Sequence, residues 1–510
     1  MPSNNTRIAK NTFMLYFRQI LILLINLYTV RIVLEILGAE DYGIYNVVAG
    51  VITMSGFLTN SMAASCQRFF SFALGNGDFI RLKKVFSLSL AIYVLIGILV
   101  LILAETVGLW FVFNKLVIPL ERKKPAIWAY QFSLISFLFS MLASPYMAMI
   151  IAHEEMKIYA YVSIVEVSLK LVIVLILRFI VWDKLVLYGL LMTIVTIINT
   201  SIYRVISTAK YKVCKYSFYW NYDLFKEIVK FSGWNMFGSS VRIFKNQIVN
   251  ILLNQYFNPV VVTARSIAAS VDSAAMSLSQ NFNTAMRPQI IKCFAAGEKK
   301  AMFSLIFRGS KGTYLLMYLF FLPLMLEMPV ILGIWLKNPP EYAVLFTRLM
   351  LFDVLITSIS YPIMTAAQAT GNLRMYQSVV GGILLLNVPI SWLVLNIGAP
   401  AYSVLIIAII LAIIAFIARL IILKRLVNYS IEQFLRIVLV PILVISVLSV
   451  ILPVIILYSM TQSIIRLCFV TAVCAVSISL FSYYIGFNRE ERGKIKNIIS
   501  KYIFLQGEKQ

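Results

Sequence analysis

Polar and charged side chains recur at helical spacing in two neighbouring segments of the second half of the chain. Steps of three, four and seven residues place side chains on one face of an α-helix. Guanidinium groups on such a face could bind a phosphate through two parallel hydrogen bonds, and Asn or Ser could bond hydroxyl groups. The spacing therefore indicates a binding face for an anion. The first segment carries Asn235, Ser239, Arg242, Asn246, Asn250 and Asn254, and the second carries Arg265, Asp272, Ser279, Asn283 and Arg287.

These segments are otherwise apolar enough to enter a lipid bilayer, and a third segment with Arg308 and Lys311 follows them. An Arg at the bilayer centre costs about 2.5–3.5 kcal/mol on insertion scales, so each one needs a polar surface to face. Only one acid, Asp272, lies well inside this stretch, so the local sequence supplies one acid for several bases. The stripes either pair with neighbouring helices or line a wet, cationic cavity, and we favour the cavity.

The depth of these groups follows from the helical rise of about 1.5 Å per residue. Arg242 lies about twelve residues into its segment, or roughly 18 Å, which is near the midplane of a bilayer. Lys245 lies close to it, and Asp272 is at mid-depth in the next segment. Arg31 and Arg265 are predicted in the outer third of the membrane. Each could equally line the cavity or extend its guanidinium group to the lipid headgroups.

The composition is that of an integral membrane protein. Of the 510 residues, 61% are hydrophobic, and the mean hydropathy is +0.88. Soluble domains contain about 45–50% apolar residues. The formal net charge is +24, and we assign much of it to cytoplasmic loops, which collect Lys and Arg. We therefore expect membrane lipids, and no nucleic acid, as partners.

Apolar runs of about twenty residues, which match the thickness of a bilayer, recur along the whole chain. They predict an all-α integral membrane protein with about fourteen transmembrane helices. Basic loops alternate with nearly bare loops, which places both termini in the cytoplasm. The loop from Lys115 to Lys124 breaks this alternation, because its basic residues fall on the predicted outer side. The predicted helices cover 9–35, 42–73, 86–113, 126–152, 158–182, 185–207, 229–256, 259–287, 303–336, 342–369, 376–397, 401–423, 434–458 and 463–486.

The chain also repeats itself. Residues 145–159 recur as 362–376, and Arg18 pairs with Arg242 in a second fixed register, so Arg18 should also lie deep in the membrane. Six helices per repeat is an even number, so the two copies insert in parallel, and substrate is expected between them near mid-depth. The predicted divisions are an N-terminal six-helix lobe (1–208), a cytoplasmic linker (209–225), a C-terminal six-helix lobe (226–425), two extra helices (426–487) and a basic cytoplasmic tail (488–510).

Other ionisable groups have ordinary interpretations. Arg68 and its repeat counterpart Arg287 lie at helix ends, where we expect them to snorkel to lipid headgroups. Glu166 and Lys170 are four residues apart on one helix and should neutralise each other. The single histidine, His153, is expected in a solvated loop beside two glutamates.

No catalytic chemistry is evident in the sequence. Residues 308–313 lack the spacing of a Walker A motif, and no nucleophile–base pair or carboxylate pair falls within the helices. The five cysteines show no CxxC spacing, so we predict no metal site. We expect a protein that is not an enzyme and that uses no cofactor, which leaves translocation across the membrane.

Three stretches near the N-terminus carry a resemblance to a known family. The central one, residues 37–46, reads Leu-Gly-Ala-Glu-Asp-Tyr-Gly-Ile-Tyr-Asn, and the other two are residues 18–35 and 68–78. Together they resemble the polysaccharide-biosynthesis exporters of the multidrug/oligosaccharidyl-lipid/polysaccharide (MOP) superfamily, the O-antigen and exopolysaccharide repeat-unit flippases. The resemblance implies a two-lobed, V-shaped, alternating-access transporter. It would move an undecaprenyl-diphosphate-linked oligosaccharide, for O-antigen, capsule or exopolysaccharide, across the bacterial cytoplasmic membrane.

The resemblance also implies essential positive charges in a central cavity and a carboxylate that couples transport to an ion. Asp272 is the candidate for ion coupling. The expected partners are an anionic polyprenyl-diphosphate-linked glycan and, within an assembly complex, a polysaccharide polymerase or glycosyltransferases. Taken with the polar stripe, the predicted substrate-binding residues are Arg18, Arg31, Arg242, Lys245, Asn246, Arg265 and Arg308.

Three other functions stay open. An ion-coupled multidrug antiporter of the same superfamily should have an acidic cavity, whereas this one is predicted to be basic. A peptidoglycan-precursor flippase shares the logic of an anionic lipid substrate. A membrane scaffold for a glycan-assembly complex would use the basic tail and the linker as docking surfaces and would not need buried charges.

Overall fold

The computed structural model describes residues 4–53, 56–114, 118–257, 259–336, 339–487 and 492–493. Within these ranges all regular structure is helical, and no strand is present. The predicted all-α fold is therefore confirmed for the described residues. The α-helices, in chain order, are α1 (Asn4–Thr53), α2 (Gly56–Gly75), α3 (Phe79–Leu103), α4 (Leu109–Asn114), α5 (Lys123–Ala152), α6 (Met156–Leu177), α7 (Lys184–Lys210), α8 (Tyr222–Tyr256), α9 (Pro259–Ala295), α10 (Lys299–Leu336), α11 (Ala343–Ala369), α12 (Leu373–Leu385), α13 (Asn387–Asn396), α14 (Ser403–Val427), α15 (Ile431–Phe434), α16 (Val440–Ser459) and α17 (Ile464–Phe481).

Ten helical segments in the described part of the chain are long and apolar enough to cross a membrane, judged by length and composition. The remaining predicted spans correspond to α1, α2, α8 and α9. Helices α8 and α9 contain 35 and 37 residues, more than the roughly 20 that a bilayer requires. Their polar stripes lower their hydropathy, which is why they fall outside the apolar set. The chain is a multi-pass membrane protein.

Three interruptions divide the long helices. Gly38 breaks α1 with φ 77° and ψ 170°, a conformation that strongly favours glycine, near where the sequence predicted the first two helices to meet. The predicted helix 376–397 is instead two helices, α12 and α13, separated at Leu386. Pro389 explains this break, because it has no N–H to donate to the carbonyl of residue 385. The third interruption lies within α10, at Glu327.

The irregular turn of α10 is held by a neighbouring helix. Pro329 cannot donate to the carbonyl oxygen of Met325, four residues earlier, so that oxygen needs another donor. Arg348 on α11 supplies it: its Nε donates to Met325 O at 2.9 Å, and its Nη2 lies 3.5 Å from Leu326 O. A side chain therefore replaces the missing backbone donor inside an apolar region.

Contact density divides the chain into two compact units. The first contains Met1–Ser240, Thr284–Met302 and Gln368–Gln377, and the second contains Val241–Asn283, Phe303–Ala367 and Ser378–Gln510. Both α8 and α9 therefore contribute to each unit. The lobes predicted from the sequence repeat stay a prediction, and the predicted tail, apart from 492–493, lies outside the described residues.

The loop that broke the charge alternation has a structural role in the first unit. Arg122 donates from Nε to Oδ1 of Asp41 at 2.7 Å and from Nη1 to Oδ2 of Asp183 at 2.8 Å. Asp183 also caps α7 by accepting from the backbone N–H groups of Leu185 and Val186. The basic residue on the predicted outer side therefore joins two acids, and the exception to the charge rule has a local cause.

The last two long helices are joined closely to α10 in the second unit. The hydroxyl groups of Tyr314 and Tyr318 lie 2.7 Å from the Ser446 hydroxyl and 2.9 Å from the Ser446 carbonyl, respectively. Lys311, which the sequence analysis placed in the third charged segment, is buried and donates to the carbonyl of Gly486, beyond α17. Its charge serves the packing of the C-terminal helices against α10.

Candidate substrate site

A polar cavity of about 490 Å³ lies within the first unit, between α5, α6 and α7 with contributions from α1 and α2. We call it the hydroxyl cavity, because hydroxyl groups dominate its polar lining. Its volume falls within the range of about 300–1,000 Å³ that is typical of small-molecule sites. The hydroxyl-bearing lining residues are Tyr45, Thr59, Ser133, Ser136, Ser140, Ser144, Tyr159, Ser163, Thr196 and Tyr203.

Helical spacing brings these hydroxyl groups to one side of each helix. On α5 the serines at 133, 136, 140 and 144 follow steps of three and four residues, and on α7 Thr196, Asn199 and Tyr203 do the same. The Ser136 hydroxyl donates to Thr193 Oγ1 at 2.9 Å, which ties the facing surfaces of α5 and α7 together. The walls of the cavity are thus two hydrogen-bonding helix faces.

The charged residues in the cavity lining neutralise each other. Nζ of Lys170 lies 2.6 Å from Oε1 of Glu166, one helical turn earlier on α6, as the sequence predicted. The Asn199 amide donates to the other carboxylate oxygen at 2.9 Å. These two residues are the charged members of the lining, so the cavity combines many hydrogen-bonding groups with little net charge.

Arg18 lies on α1 in the first unit, buried against the wall of this cavity. Its Nη1 is 3.4 Å from the Ser163 hydroxyl, and its guanidinium carbon lies 4.6 Å from the centre of the Tyr159 ring. Both partners line the hydroxyl cavity. Arg18 therefore places a positive charge directly behind two lining residues, held by an aromatic face.

Arg265 on α9 in the second unit is held by the polar stripe of α8. It is 4% exposed, and its Nη1 donates to the Asn246 carbonyl at 3.1 Å and to the Asn250 side chain. Asp272, two turns later on α9, lies within electrostatic range of the guanidinium. The arrangement is a buried cation surrounded by amides from the next helix, with an acid nearby.

Other members of the predicted stripes also bond to neighbouring helices. In the first unit, Asn235 donates to the Ser65 hydroxyl at 3.3 Å, and Ser239 is 3.4 Å from the Ser61 hydroxyl. In the second, Asn283 accepts from Thr365 at 3.2 Å. For these residues the structure supports pairing between helices, the alternative to the cavity that the sequence left open.

The remaining predicted site residues are placed as follows. Lys245, Asn246, Asp272 and Arg308 belong to the second unit, and each is half-buried. The side chains of Arg31 and Arg242 lie outside the described residues, although their backbones are helical. A shared cavity for these charges stays a prediction.

The expectation that Arg68 and Arg287 snorkel to lipid headgroups is wrong. Arg68 is 5% exposed, and its Nη2 donates to the carbonyl of Ala369 at 3.1 Å. Arg287 donates to the carbonyl of Ala64 at 3.2 Å and to the side chain of Gln368 at 2.8 Å. Both guanidinium groups are therefore used inside the first unit, where they join α2, α9 and the end of α11.

The solvated loop expected around His153 is also wrong. Glu154 is buried and accepts from Nζ of Lys292 at 2.7 Å and from Nε2 of Gln289 at 2.9 Å. His153 stacks on Tyr211 with ring centres 4.0 Å apart, and burial lowers its pKa. Glu154 has φ 65°, which is uncommon outside glycine. The ion pair with α9 therefore holds a strained turn.

Sequence reasoning missed the hydroxyl cavity. Its signal was the run of serines at steps of three and four on α5. That signal is weak, because Ser and Thr in helices commonly bond to their own backbone four residues back, as Ser133 and Thr196 do here. Only the packing of α5 against α7 shows that the stripes enclose a space.

No protein-family model matches the sequence, and no curated protein matches it closely. Solved structures do match its fold. A MATE protein in complex with MaD3S has a TM-score of 0.72 at 12% identity, covering 84% of this chain and 97% of its own. An outward-facing multidrug resistance MATE family transporter of the MOP superfamily has a TM-score of 0.72 at 12% identity, covering 83% and 96%. A variant of the Vibrio cholerae MATE transporter VcmN has a TM-score of 0.64 at 17% identity, covering 85% and 99%.

At these identities the likeness is one of fold. The chain has the fold of these MATE transporter structures, which confirms the predicted fold class. Fold and composition therefore define a multi-pass membrane protein with a polar cavity inside its first unit.

Proposed function

We propose that the chain flips a lipid-linked oligosaccharide across the membrane, and that sugar rings bind in the hydroxyl cavity. The observation that carries this proposal is the lining of that cavity, in which ten residues bear hydroxyl groups and the acid is already paired with Lys170. Hydroxyl and amide side chains can both donate and accept, as sugar hydroxyls do. The resemblance of the sequence to repeat-unit flippases points to the same substrate class.

The charge of the cavity argues against an organic cation at this place. A cation in a low-dielectric site needs an acid that is not already compensated. Glu166 is held by Lys170 at 2.6 Å and by Asn199 at 2.9 Å, and Arg18 adds a positive charge behind Tyr159. A neutral, polyhydroxylated group linked to an anionic diphosphate fits this electrostatic setting better.

The test is transport in vesicles that contain the purified protein and a fluorescent, short-chain polyprenyl-diphosphate-linked oligosaccharide. Quenching from one side then reports how fast the label changes leaflet. The double variant Ser140→Val/Asn199→Leu removes hydrogen-bonding groups from two walls of the cavity. Losing two hydrogen bonds of about 0.5–1.5 kcal/mol each should slow flipping roughly tenfold.

Thr208→Val is the matched control, because Thr208 is an exposed hydroxyl on α7 that bonds its own backbone. It should flip the lipid at the wild-type rate. If the cavity double variant also flips the lipid at the wild-type rate, the hydroxyl cavity does not take part in transport.

A second candidate function is ion-coupled multidrug antiport. It is favoured by the fold comparisons, since one of the matching structures is named a multidrug resistance MATE family transporter and another is the MATE transporter ClbM in complex with Rb⁺. The same vesicles distinguish the two candidates when loaded with ethidium under a proton or sodium gradient. Ethidium movement without flipping of the glycolipid would establish antiport and reject the flippase.

Asp272 is the candidate coupling carboxylate in either case, since it lies near Arg265 and is half-buried on α9. Asp272→Asn removes the charge at nearly constant shape. We expect transport by this variant to lose its dependence on the proton or sodium gradient. An unchanged dependence on the gradient would show that Asp272 does not couple transport to the ion.

A further inference from the structure

A second cavity of the first unit, of about 550 Å³, lies where α2, the start of α8 and the turn between α11 and α12 meet. We call it the Arg68 pocket. It is separate from the hydroxyl cavity, with which it shares no lining residue. The residues that define its chemistry are Arg68, Glu227, Lys230, Trp234, Gly371 and Arg374.

The lining carries an excess of positive charge. It contains three cations, Arg68, Lys230 and Arg374, and one acid, Glu227. Nη1 of Arg68 lies 3.7 Å from this acid, and Nη2 of Arg81 lies 3.8 Å from it. Both distances exceed a normal hydrogen bond, so one exposed carboxylate is shared loosely between two guanidinium groups.

Arg68 is rigidly positioned and keeps hydrogen-bonding capacity. The rings of Phe69, Phe72 and Phe231 lie 4.6, 5.2 and 5.1 Å from its guanidinium carbon. Nη2 donates to Ala369, whereas Nε is buried without a hydrogen-bond partner among the described atoms. A buried guanidinium with five donors and few acceptors is suited to an anion with several oxygen atoms.

Gly371 allows this guanidinium to reach the turn. Its φ is +80°, and a Cβ there would lie 2.6 Å from Nη2 of Arg68. Glycine is therefore required twice, once for the left-handed backbone and once for the close approach of the side chain. In the register of the sequence repeat, Gly371 corresponds to Glu154, whose φ is 65°. In the first copy, the residue in this turn is Glu154, which carries a carboxylate. In the second copy it is Gly371, which has no side chain and is approached by the guanidinium of Arg68.

We propose that the Arg68 pocket binds a phosphate or diphosphate group. Arg68 supplies the planar fork from inside, Lys230 and Arg374 supply charge at the rim, and Trp234 offers an apolar wall beside them. The group could belong to a lipid headgroup or to a soluble phosphate compound, since both present the same oxygen atoms. This inference concerns a different place from the hydroxyl cavity and does not depend on the proposed substrate.

The experiment measures binding to the full-length protein in nanodiscs of phosphatidylcholine by calorimetry, with inorganic pyrophosphate and farnesyl diphosphate as separate probes. The double variant Lys230→Gln/Arg374→Gln changes two exposed side chains, so it should fold as the wild type does. We expect it to bind farnesyl diphosphate about tenfold more weakly, as for the loss of a charge-assisted hydrogen bond. Arg68→Lys should also weaken binding, because it keeps the charge but loses the fork and the ring contacts.

The matched control is Lys83→Gln/Lys212→Gln, which removes the same number of charges from exposed positions outside the pocket. It should bind as the wild type does. Binding of both probes, each weakened in the pocket variant, supports a phosphate site open to soluble ligands. Binding of farnesyl diphosphate alone, weakened in the same variant, supports a site for a lipid headgroup. Failure of both probes to bind, or equal binding by the pocket variant and the wild type, overturns the proposal.

Discussion

Replacing Arg466 by Met should destabilise the second unit by about 3–5 kcal/mol, because it leaves a buried carboxylate without its partner. Glu327 is fully buried in α10 and accepts from Nε and Nη2 of Arg466 at 2.8 and 2.9 Å. The two hydrogen bonds are parallel, which is the strongest arrangement that an Arg–carboxylate pair adopts. Thermal unfolding of the purified variant in detergent measures the effect.

The pair also explains why α10 can bend where it does. Glu327 has φ −103° and ψ 18°, outside the helical range, and lies between Pro323 and Pro329. Nη1 of Arg466 donates to the Met460 carbonyl at 3.1 Å, so the same guanidinium holds the turn between α16 and α17. One side chain therefore fixes the bend and the helix hairpin together.

The double variant Glu327→Leu/Arg466→Met is the control for this prediction. Replacing both members of a buried ion pair by apolar groups of similar size is often neutral or stabilising. We expect the double variant to unfold within a few degrees of the wild type. In the single variant, Cys474, which is buried on α17, should react faster with a maleimide. A single variant as stable as the wild type would show that the pair contributes little.

Local features of the sequence predicted the fold well. Hydrophobic length indicated the membrane helices, because this signal acts within about twenty residues. The same holds for Glu166 and Lys170, which are one turn apart on α6 and pair as expected. Between the predicted helices 42–73 and 86–113 the chain makes a turn, in which Gly77 takes the left-handed conformation with φ 69°.

Partners that are distant in sequence could not be predicted in this way. Arg68 donates to Ala369, 301 residues later, and Glu154 pairs with Lys292, 138 residues later. Each side chain alone is consistent with snorkelling or solvation, and only the packing of the first unit shows that both are buried. The polar stripes of α8 and α9 were interpreted as the lining of a cavity, but Asn235 and Asn250 are used between helices.

The contacts of one glycine show how closely α2 and α9 approach each other at one end of the first unit. A Cβ on Gly75, the last residue of α2, would lie 2.7 Å from the carbonyl oxygen and 2.8 Å from Cα of Lys292 on α9. It would also lie 2.9 Å from Cβ of Ala295. Backbone atoms cannot rotate away as a side chain can, so the two helix ends would have to separate.

We therefore expect Gly75→Ala to destabilise the first unit by about 1–3 kcal/mol, the usual cost of overpacking. The substitution should favour α2 as an isolated helix, because Ala is a better helix former than Gly by about 1 kcal/mol. A net loss of stability can then come only from the contact with α9. Separation of the helix ends should also weaken the 2.7 Å ion pair between Lys292 and Glu154.

The measurement is the melting temperature together with maleimide labelling of Cys293, quantified by mass spectrometry of its peptide. Cys293 is 8% exposed and follows Lys292 directly, so its labelling should rise when α9 moves away from α2. Gly233→Ala on α8 is the matched control, since no atom would lie within 4 Å of its Cβ. That control should keep or raise the melting temperature. If Gly75→Ala behaves like Gly233→Ala, the two helix ends are free to part, and the close contact between α2 and α9 has no role in holding Glu154 in its strained turn.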